Sequence, residues 1–330
     1  MKIIKPSVEF FGAVPTDYAN TLRFIEVAGR TCYKSEDKIG CLVPNEDFIP
    51  DLCAEYGNWD DVKGGPVNCN AGCAYHSAPK FVKRLINAGH LAMVEHSNFV
   101  VKSRIVDYPM TLQGDLGKYL TVFVAGMTTY VGGNITAWMK QYDSYPDDDN
   151  AWDDSCFTPF FEAYGEMFGR GNEGQDTGWQ VCPHDEIPKE LHRYSAKFIC
   201  DRGVSHELVR HRPCSFAQES TRYVNYGGKD MEFIEPWWCN DAYGTNNGAA
   251  QWSNFEQMCL FSEELYKDQL ERGQAPQAAR AVLPNALKTE IIVTADTAEW
   301  AHIKKLRTHP SAHPDMVRVM NMLPWEEMGL

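Results

Sequence analysis

The sequence predicts an α+β fold, with a mixed sheet and packed helices in a single domain that carries long insertions. Helical and strand-like patterns both occur along the 330 residues, but they do not alternate in the regular order of a doubly wound parallel sheet. The apolar fraction of 44% and the charged fraction of 23% are those of ordinary globular domains. A chain of this length holds about two domains or one domain with insertions, and the unpatterned middle favours the second arrangement.

The first predicted element is a helix over residues 17–33. Tyr18, Leu22 and Ile25 recur there near a period of 3.6, and polar residues that could cap the helix precede them. Residues 34–76 are rich in glycine, proline and asparagine, so we expect a loop.

The next predicted elements are a second helix, two strands and a third helix. The second helix is predicted to begin at Pro79, to have one apolar face and to stop at Gly89. A strand is expected over residues 98–105, and a β-branched segment follows over residues 119–124. Residues 135–141 are predicted to start a short helix.

Residues 144–188 differ in kind from what surrounds them. They have little periodicity and several glycines, and they contain a run of acids: Asp147, Asp148, Asp149, Asp153 and Asp154. Such a run is usually a solvated surface, so we expect an exposed insertion here and no core element.

Regular patterns return after this stretch. A strand is predicted over residues 191–200 and a helix over residues 204–209. Ser253 and Glu256 have the spacing of a capping box, which predicts that a long helix begins there and ends at Gly273.

The last third of the chain is mainly helical. Pro276 is expected to open a helix that extends to about Pro284. A β-branched strand is predicted over residues 289–295, followed by a helix over residues 297–307.

Charge and cysteine usage exclude several classes of protein. The net charge of −14, from 31 basic and 45 acidic residues, disfavours a generic polynucleotide binder. The 11 cysteines are odd in number and contain no Cys-x-x-Cys pair, so we expect reduced thiols that are mostly buried. No apolar run reaches the length of a membrane span, and the N-terminus lacks a secretion signal, so we expect a cytoplasmic protein without a membrane partner.

The segment from His206 to Tyr223 has the densest chemistry in the chain. It contains three arginines, two histidines, two serines and two glutamates within eighteen positions. Arginine forks match phosphates and planar base edges bidentately, so a local cluster of this kind in an acidic chain predicts a site for a small anionic ligand.

Three interpretations of this segment can be compared. A zinc hydrolase requires two histidines four residues apart on a helix, whereas His206 and His211 are five apart and would face about 140° away from each other. For any single arginine, a weak surface ion pair is the more common explanation. For the whole string, with Ser215 and Ser220 among the arginines, a nucleotide and cofactor site is favoured.

The segment resembles the Arg-His-Arg-x-x-Ser signature of flavin-dependent thymidylate synthases. Arg210-His211-Arg212-x-x-Ser215 matches it, and Ser220-x-Arg222-Tyr223 follows. Other segments also resemble the family over residues 16–36, 79–105 and 191–320: Ala28-Gly-Arg-Thr-Cys32, Gly89-His90, Glu95-His96, Ala278-Ala-Arg280-Ala-Val-Leu-Pro284 and Leu306-Arg307. The resemblance implies one catalytic domain over residues 1–105 and 191–330. Residues 106–190 would be an insertion, acidic and loop-rich in its second half.

The resemblance implies an enzyme, a methyltransferase that converts dUMP to dTMP. Methylenetetrahydrofolate would donate the carbon, reduced FAD would donate hydride, and NADPH would regenerate the flavin. The family works as a homotetramer with sites shared between chains. It uses no cysteine nucleophile, so we expect Cys214 to be a packing residue, although a cysteine beside Arg212 could also be nucleophilic.

The resemblance also implies the residues of two sites, and the histidine spacing leads us to expect no metal. Arg307 would contact the uracil ring and act as the catalytic residue, because a guanidinium there stabilises charge on the N3 and O4 edge. The dUMP site would comprise Glu207, Arg210, Gln218, Glu219, Ser220, Thr221, Arg222, Arg280 and Arg307. The FAD site would comprise His90, Ala92, Arg210, His211, Arg212, Gln218, Asp296 and His302.

This chain departs from the family pattern at several positions. Ala217-Gln218 replaces the common Asn-Glu, and Glu207 replaces the usual glutamine. Asp296 occupies an asparagine position and Ala92 a hydroxyl position. The alternative function is a nucleotide-binding or regulatory protein that keeps the pocket without turnover; retention of Arg280 and Arg307 favours the enzyme.

Overall fold

A computed structural model describes residues 1–39, 74–104, 119–144, 156–169, 178–239 and 248–330. The acidic run Asp147 to Asp154 and most of the predicted loop 34–76 lie outside the described residues. The strands are β1 Lys2–Ile4, β2 Ser7–Ala13, β3 Phe99–Ser103, β4 Thr121–Ala125, β5 Thr128–Gly133, β6 Gln180–Val181, β7 Arg193–Asp201, β8 Ser215–Gln218, β9 Glu232–Ile234 and β10 Lys288–Asp296. The α-helices are α1 Tyr18–Tyr33, α2 Ala74–Asn87, α3 Leu91–Val94, α4 Ile135–Asp143, α5 Thr158–Tyr164, α6 Arg202–Leu208, α7 Gly248–Glu271, α8 Pro276–Ala279, α9 Thr297–Arg307 and α10 Pro314–Met320.

The chain divides into two compact units. The first comprises Met1–Gly12, Thr31–Lys34 and Tyr194–Leu330, and the second comprises Ala13–Arg30 and Ser35–Arg193. The division predicted from the sequence, an insertion over residues 106–190 in one domain, stays a prediction. No helix among the described residues is long and apolar enough to cross a bilayer.

The predicted α+β class is confirmed, because the described residues form both parallel and antiparallel strand pairs, with helices between the strands along the chain. One four-stranded sheet has the order β2-β7-β10-β8, a second has the order β4-β5-β3-β6, and β1 pairs with β9. The pairing of β1 with β9 is parallel, whereas β10 pairs with β8 in antiparallel register. Strand direction therefore varies within the first unit, as a mixed fold requires.

The core of the first unit forms around β10. Its residues from Thr289 to Ala295 are all buried, because this strand lies inside its sheet. Trp300 and Ile303 of α9 belong to the apolar cluster formed with this sheet, and the indole of Trp300 donates to the Tyr194 carbonyl at 3.0 Å. The predicted strand over residues 289–295 and the predicted helix over residues 297–307 are both confirmed.

The second unit has an aromatic core that the sequence did not predict. Trp138 of α4 stacks on Phe160 of α5 with ring centroids 5.5 Å apart, and both side chains are fully buried. The expectation that residues 144–188 contain no core element is wrong for residues 156–169. Phe157, Phe160 and Tyr164 recur at helical spacing and bury large apolar areas, and the nearby acids obscured this pattern.

The predicted start of the second helix is also wrong. Helix α2 begins at Ala74, so Pro79 lies inside it. A proline in the second turn of a helix removes one intrahelical hydrogen bond and crowds the carbonyl four residues earlier, so packing must compensate. The buried face of Ala78, Phe81 and Val82 continues across the proline and stabilises the longer helix.

The long C-terminal helix likewise begins before its predicted cap. Helix α7 starts at Gly248, so Ser253 lies within it, where its hydroxyl accepts from the Gln257 amide at 3.1 Å. The predicted end is confirmed, because the helix stops at Glu271 and Gly273 has a positive φ of 87°. The other predicted helices and strands of the described residues lie within a few residues of their expected positions.

Candidate active site

The arginine-rich segment folds as a helix, a turn and a strand. Helix α6 begins after Asp201, whose carboxylate accepts from the Val204 amide at 2.7 Å and caps the helix. The helix ends at Leu208, and β8 pairs with β10 so that Gln218 lies opposite Ile291. The sheet register therefore fixes where the second half of the segment lies.

Arg307 lies at the centre of a hydrogen-bonded cluster. Its Nη1 donates to Oε2 of Glu207 at 2.7 Å, and its Nη2 donates to the Glu207 carbonyl at 3.1 Å. Its Nε donates to Nε2 of His211 at 3.0 Å. The structure thus brings three predicted site residues together from positions as much as 100 residues apart.

His211 connects this cluster to an acid that the sequence did not indicate. The ring is buried, and its Nδ1 lies 2.9 Å from Oε1 of Glu299. Burial lowers the pKa of His211, and Arg307 and His302 lower it further, while Glu299 opposes the shift. The neutral imidazole is therefore favoured near neutral pH.

His211, Glu299 and His302 have the composition of a metal site. Their ligand atoms lie within 4.8 Å of one another. However, the Nε–H of Arg307 donates to Nε2 of His211, so a neutral ring carries its proton on Nδ1, the nitrogen that faces Glu299. A metal ligand must be unprotonated, so this arrangement disfavours a metal on Nδ1.

A cavity of about 350 Å³ adjoins the motif in the first unit. It is lined by two arginines, by a histidine and a threonine, and by residues of the segment after α8: Arg202, His206, Thr221, Arg280, Ala281, Leu283, Pro284, Asn285 and Leu287. Nη1 of Arg280 donates to Oγ1 of Thr221 at 3.2 Å. Two members of the predicted dUMP site therefore line this cavity together.

Arg202 is a lining residue that the sequence analysis missed. Its Nη1 is buried and has no hydrogen-bond partner among the described residues. Burial lowers the pKa of Arg202, and the positive charge of Arg280 lowers it further. The available signal was a basic residue at the first position of the helix that leads into the motif.

Gln218 and Glu219 are held by bonds within the protein. Nε2 of Gln218 donates to Oγ of Ser205 at 2.8 Å and to Oγ1 of Thr289 at 3.2 Å. Glu219 is buried, and its carboxylate accepts from the Tyr226 hydroxyl at 2.7 Å. These contacts leave direct ligand binding by either side chain a prediction.

The remaining arginines of the motif are exposed. Arg210 and Arg212 lie around the turn after α6, and neither has an ion-pair partner in the described parts of the chain. Arg222 lies 5.4 Å from the ring centre of Tyr223. Ser220 is held at its backbone, where its amide donates to the Cys32 carbonyl at 3.1 Å.

The other predicted FAD residues lie in two different units. Asp296 caps α9 by accepting from the Glu299 amide at 2.8 Å, and the ring of His302 lies 5.8 Å from that of His211. His90 and Ala92 belong to the second unit, where both are exposed and His90 precedes α3. Their part in a flavin site stays a prediction.

Cys214 lies in the apolar core of the first unit with 7% of its surface exposed. This position agrees with the expected packing role. Burial of a thiol in apolar surroundings disfavours the thiolate, and therefore a nucleophile.

A family model matches the segment of the chain that holds the motif. Residues 184–326 match the model described as thymidylate synthase complementing protein, Thy1. The second half of the chain is therefore similar to this family. The resemblance inferred from the sequence is thereby confirmed for the part of the chain that holds Arg210, Arg280 and Arg307.

Curated proteins similar to this chain include flavin-dependent thymidylate synthases. A flavin-dependent thymidylate synthase of Mycobacterium bovis is 37% identical over 124 residues, which cover 35% of this chain and 48% of the relative. One from Thermococcus onnurineus is 31% identical over 110 residues, covering 33% of this chain and 42% of the relative. The chain therefore spans about half the length of the curated relatives it matches.

A solved structure resembles the whole chain only weakly. A UMP/dUMP methylase from Streptomyces cacaoi, bound with 5-Br dUMP, aligns with 99% of this chain and 90% of its own at 14% identity, with a TM-score of 0.38. A similarity of this degree carries no inference about fold or ligand.

Proposed function

We propose that this chain is a flavin-dependent thymidylate synthase, which methylates dUMP to dTMP with methylenetetrahydrofolate as carbon donor and NADPH as reductant. The single observation that carries the proposal is the family match over the segment in which Arg280 and Thr221 are bonded together at a cavity. The names of the curated relatives support the same reaction.

The cavity has the chemistry of a nucleotide monophosphate site. Arg280 and Arg202 both line it, and burial of an unpartnered guanidinium nitrogen on Arg202 is costly unless an anion accepts from it. Thr221 adds a hydroxyl that can donate to a phosphate oxygen while it accepts from Arg280. We infer that the phosphate of dUMP binds here, with Ser220 and Arg222 contributing as the resemblance implies.

The donor set of the turn after α6 fits a phosphorylated cofactor. Arg210 and Arg212 are exposed cations without a carboxylate partner in the described ranges, so an anion can bind them without first breaking an ion pair. FAD, when bound, would supply hydride to the reaction. We infer that these two arginines hold its phosphates, and that Gln218, Asp296 and His302 contribute.

Arg307 would perform the protein's part of the chemistry. A guanidinium beside the N3 and O4 edge of uracil stabilises the negative charge that develops there, and it needs no rearrangement if it is already held in place. Glu207 and His211 hold it with three hydrogen bonds, and one N–H remains on each terminal nitrogen. We infer that these N–H groups contact the ring, and that Glu207 and Glu219 support the dUMP site.

The decisive experiment is anaerobic release of tritium from 5-tritiated dUMP by the full chain with FAD, NADPH and methylenetetrahydrofolate. We expect release, together with a flavin absorbance spectrum in the purified protein. A protein that binds dUMP without release would be the nucleotide-binding alternative. A protein that binds neither dUMP nor FAD contradicts both functions.

A matched pair of variants locates the nucleotide site. Arg280→Met removes a cavity arginine, and we expect dUMP affinity to fall by about ten- to hundredfold, since a charge-assisted phosphate contact is lost. Arg272→Met is the control, because Arg272 pairs with Asp268 on the exposed end of α7. Equal affinities for the two variants would place the phosphate elsewhere. A homotetramer is inferred from the resemblance, and light scattering of the full chain measures it.

A further inference from the structure

The hydrogen bonds of His211 determine which of its two ring nitrogens carries a proton. Nε of Arg307 is always a donor, so Nε2 of His211, 3.0 Å away, must be an acceptor. A neutral ring then carries its proton on Nδ1. That proton points to the carboxylate of Glu299, 2.9 Å away, which is an acceptor only.

We propose that Glu299 is a positioning residue for Arg307, which it orients by fixing the tautomer of His211. The consequence for turnover rests on the proposed function, because it requires that Arg307 contact the uracil ring. The tautomer itself does not depend on any reaction.

The alternative tautomer would break the cluster. A proton on Nε2 would face the Nε–H of Arg307, so two donors would meet and the guanidinium would lose one of its three bonds. Glu299 is placed to prevent this. Asp296 accepts from its backbone amide, which fixes the first turn of α9, while Arg307 ends the same helix.

The buried position of the bond between Glu299 and His211 allows Glu299 to orient the imidazole ring. Side-chain exposure is 5% for His211 and 12% for Glu299, so water competes little for the bond between them. An acceptor that selects a histidine tautomer also orients the ring, as carboxylates and carbonyls do when they accept from the free N–H of a metal-bound histidine.

The first test measures the tautomer in the full chain without ligands. Long-range ¹H–¹⁵N NMR of the histidine rings distinguishes a proton on Nδ1 from one on Nε2, and the loss of one signal in His211→Gln assigns His211 among the ten histidines. We expect the proton on Nδ1. A proton on Nε2 in the unaltered protein overturns the proposal.

The second test determines whether position 299 must provide a hydrogen-bond acceptor or a negative charge. Glu299→Met removes the acceptor, and we expect kcat to fall by about tenfold or more. Glu299→Gln keeps an oxygen that can accept from Nδ1–H, and we expect it to retain kcat within about threefold. Glu264→Met, on an exposed position of α7, is the control. A folded Glu299→Met protein with unchanged kcat contradicts the positioning role.

A double variant distinguishes positioning from a general structural effect. Gln at position 211 presents its own oxygen to Arg307 and does not need Glu299, so Glu299→Met should cause no further loss of kcat in the His211→Gln background. An equal loss in both backgrounds would mean that Glu299 acts through packing or stability.

Failure of the proposed function can be distinguished from failure of the positioning role of Glu299. If NMR gives the expected tautomer but the unaltered protein releases no tritium, the proposed function fails and the arrangement of His211 stands. If turnover is present but the tautomer is reversed, the positioning role fails alone. Should Glu299→Met not fold, the NMR result and the Glu299→Gln and His211→Gln variants still decide the question.

Discussion

Replacing Glu290 by glutamine should destabilise the first unit in a strongly pH-dependent way. Three lysines converge on this buried carboxylate: Lys34 and Lys288, the latter at 2.5 Å, both bond to Oε1, and Lys197 forms an ion pair with Oε2 at 2.7 Å. Burial raises the pKa of Glu290, but these three partners outweigh it and lower the pKa to about 2 from 4.5. The carboxylate is therefore far more stable ionised in the folded chain than in the unfolded one.

The shift sets the size of the expected effect. A pKa lowered from 4.5 to about 2 corresponds to about 3 kcal/mol of folding free energy at neutral pH. Solvent screens the lysine ends, whose side chains are 10–24% exposed, so we expect about 2 kcal/mol for Glu290→Gln. Because the folded pKa is depressed, this contribution is complete above the unfolded value of 4.5 and disappears as pH falls towards 2.

Urea denaturation at several pH values measures this contribution. We expect the Glu290→Gln transition to lie at lower urea than that of the unaltered chain at pH 7, and the difference to close between about pH 4.5 and pH 2. Glu264→Gln is the control, because Glu264 is exposed. A difference of the same size at pH 7 and about pH 3 would refute the ion-pair explanation.

Three further substitutions test local features of the fold by the free energy of unfolding. Trp138→Ala should cost about 3–5 kcal/mol, because the fully buried indole also donates to a backbone carbonyl; a loss below 1 kcal/mol would contradict its core position. Gly29→Ala should cost about 1–2 kcal/mol, because the Cβ of the new alanine would lie 2.6 Å from the Phe81 ring. This strain exceeds the gain in helix propensity. A stabilised variant would show that the ring moves freely. Asp201→Ala should cost about 1 kcal/mol through loss of the cap on Val204, and Asp201→Asn should restore it; equal losses in both would exclude capping.

The sequence predicts the bounds of a helix or strand correctly where the residues that cap it and form its buried face are close together in the chain. Helix α9 begins and ends where the sequence predicts, because Asp296 caps it and its buried face is short and regular. The start of α7 was misplaced for the converse reason. Ser253 and Glu256 have the spacing of a capping box, but spacing alone does not show whether a helix has already begun.

The aromatic core of the second unit illustrates a different limit. Phe160 buries its ring against Trp138, which is 22 positions earlier in a segment with its own secondary structure. The acidic composition of the surrounding stretch predicted an exposed insertion, although a short apolar pattern typical of a buried helix was present within it. Packing between elements decides such cases, because burial depends on the partner surface as well as on the segment itself.

The sequence by itself determined the α+β class and the resemblance of the motif around Arg210, because both depend on residue type and on spacing along the chain. Tertiary structure decided which of those residues meet. Glu207 and Arg307 are 100 positions apart and bond only because α6 and α9 pack on the same core, and Glu299 enters the cluster only because α9 turns it towards His211. Hydrogen bonding requires approach to about 3 Å, and no pattern along the chain encodes that distance.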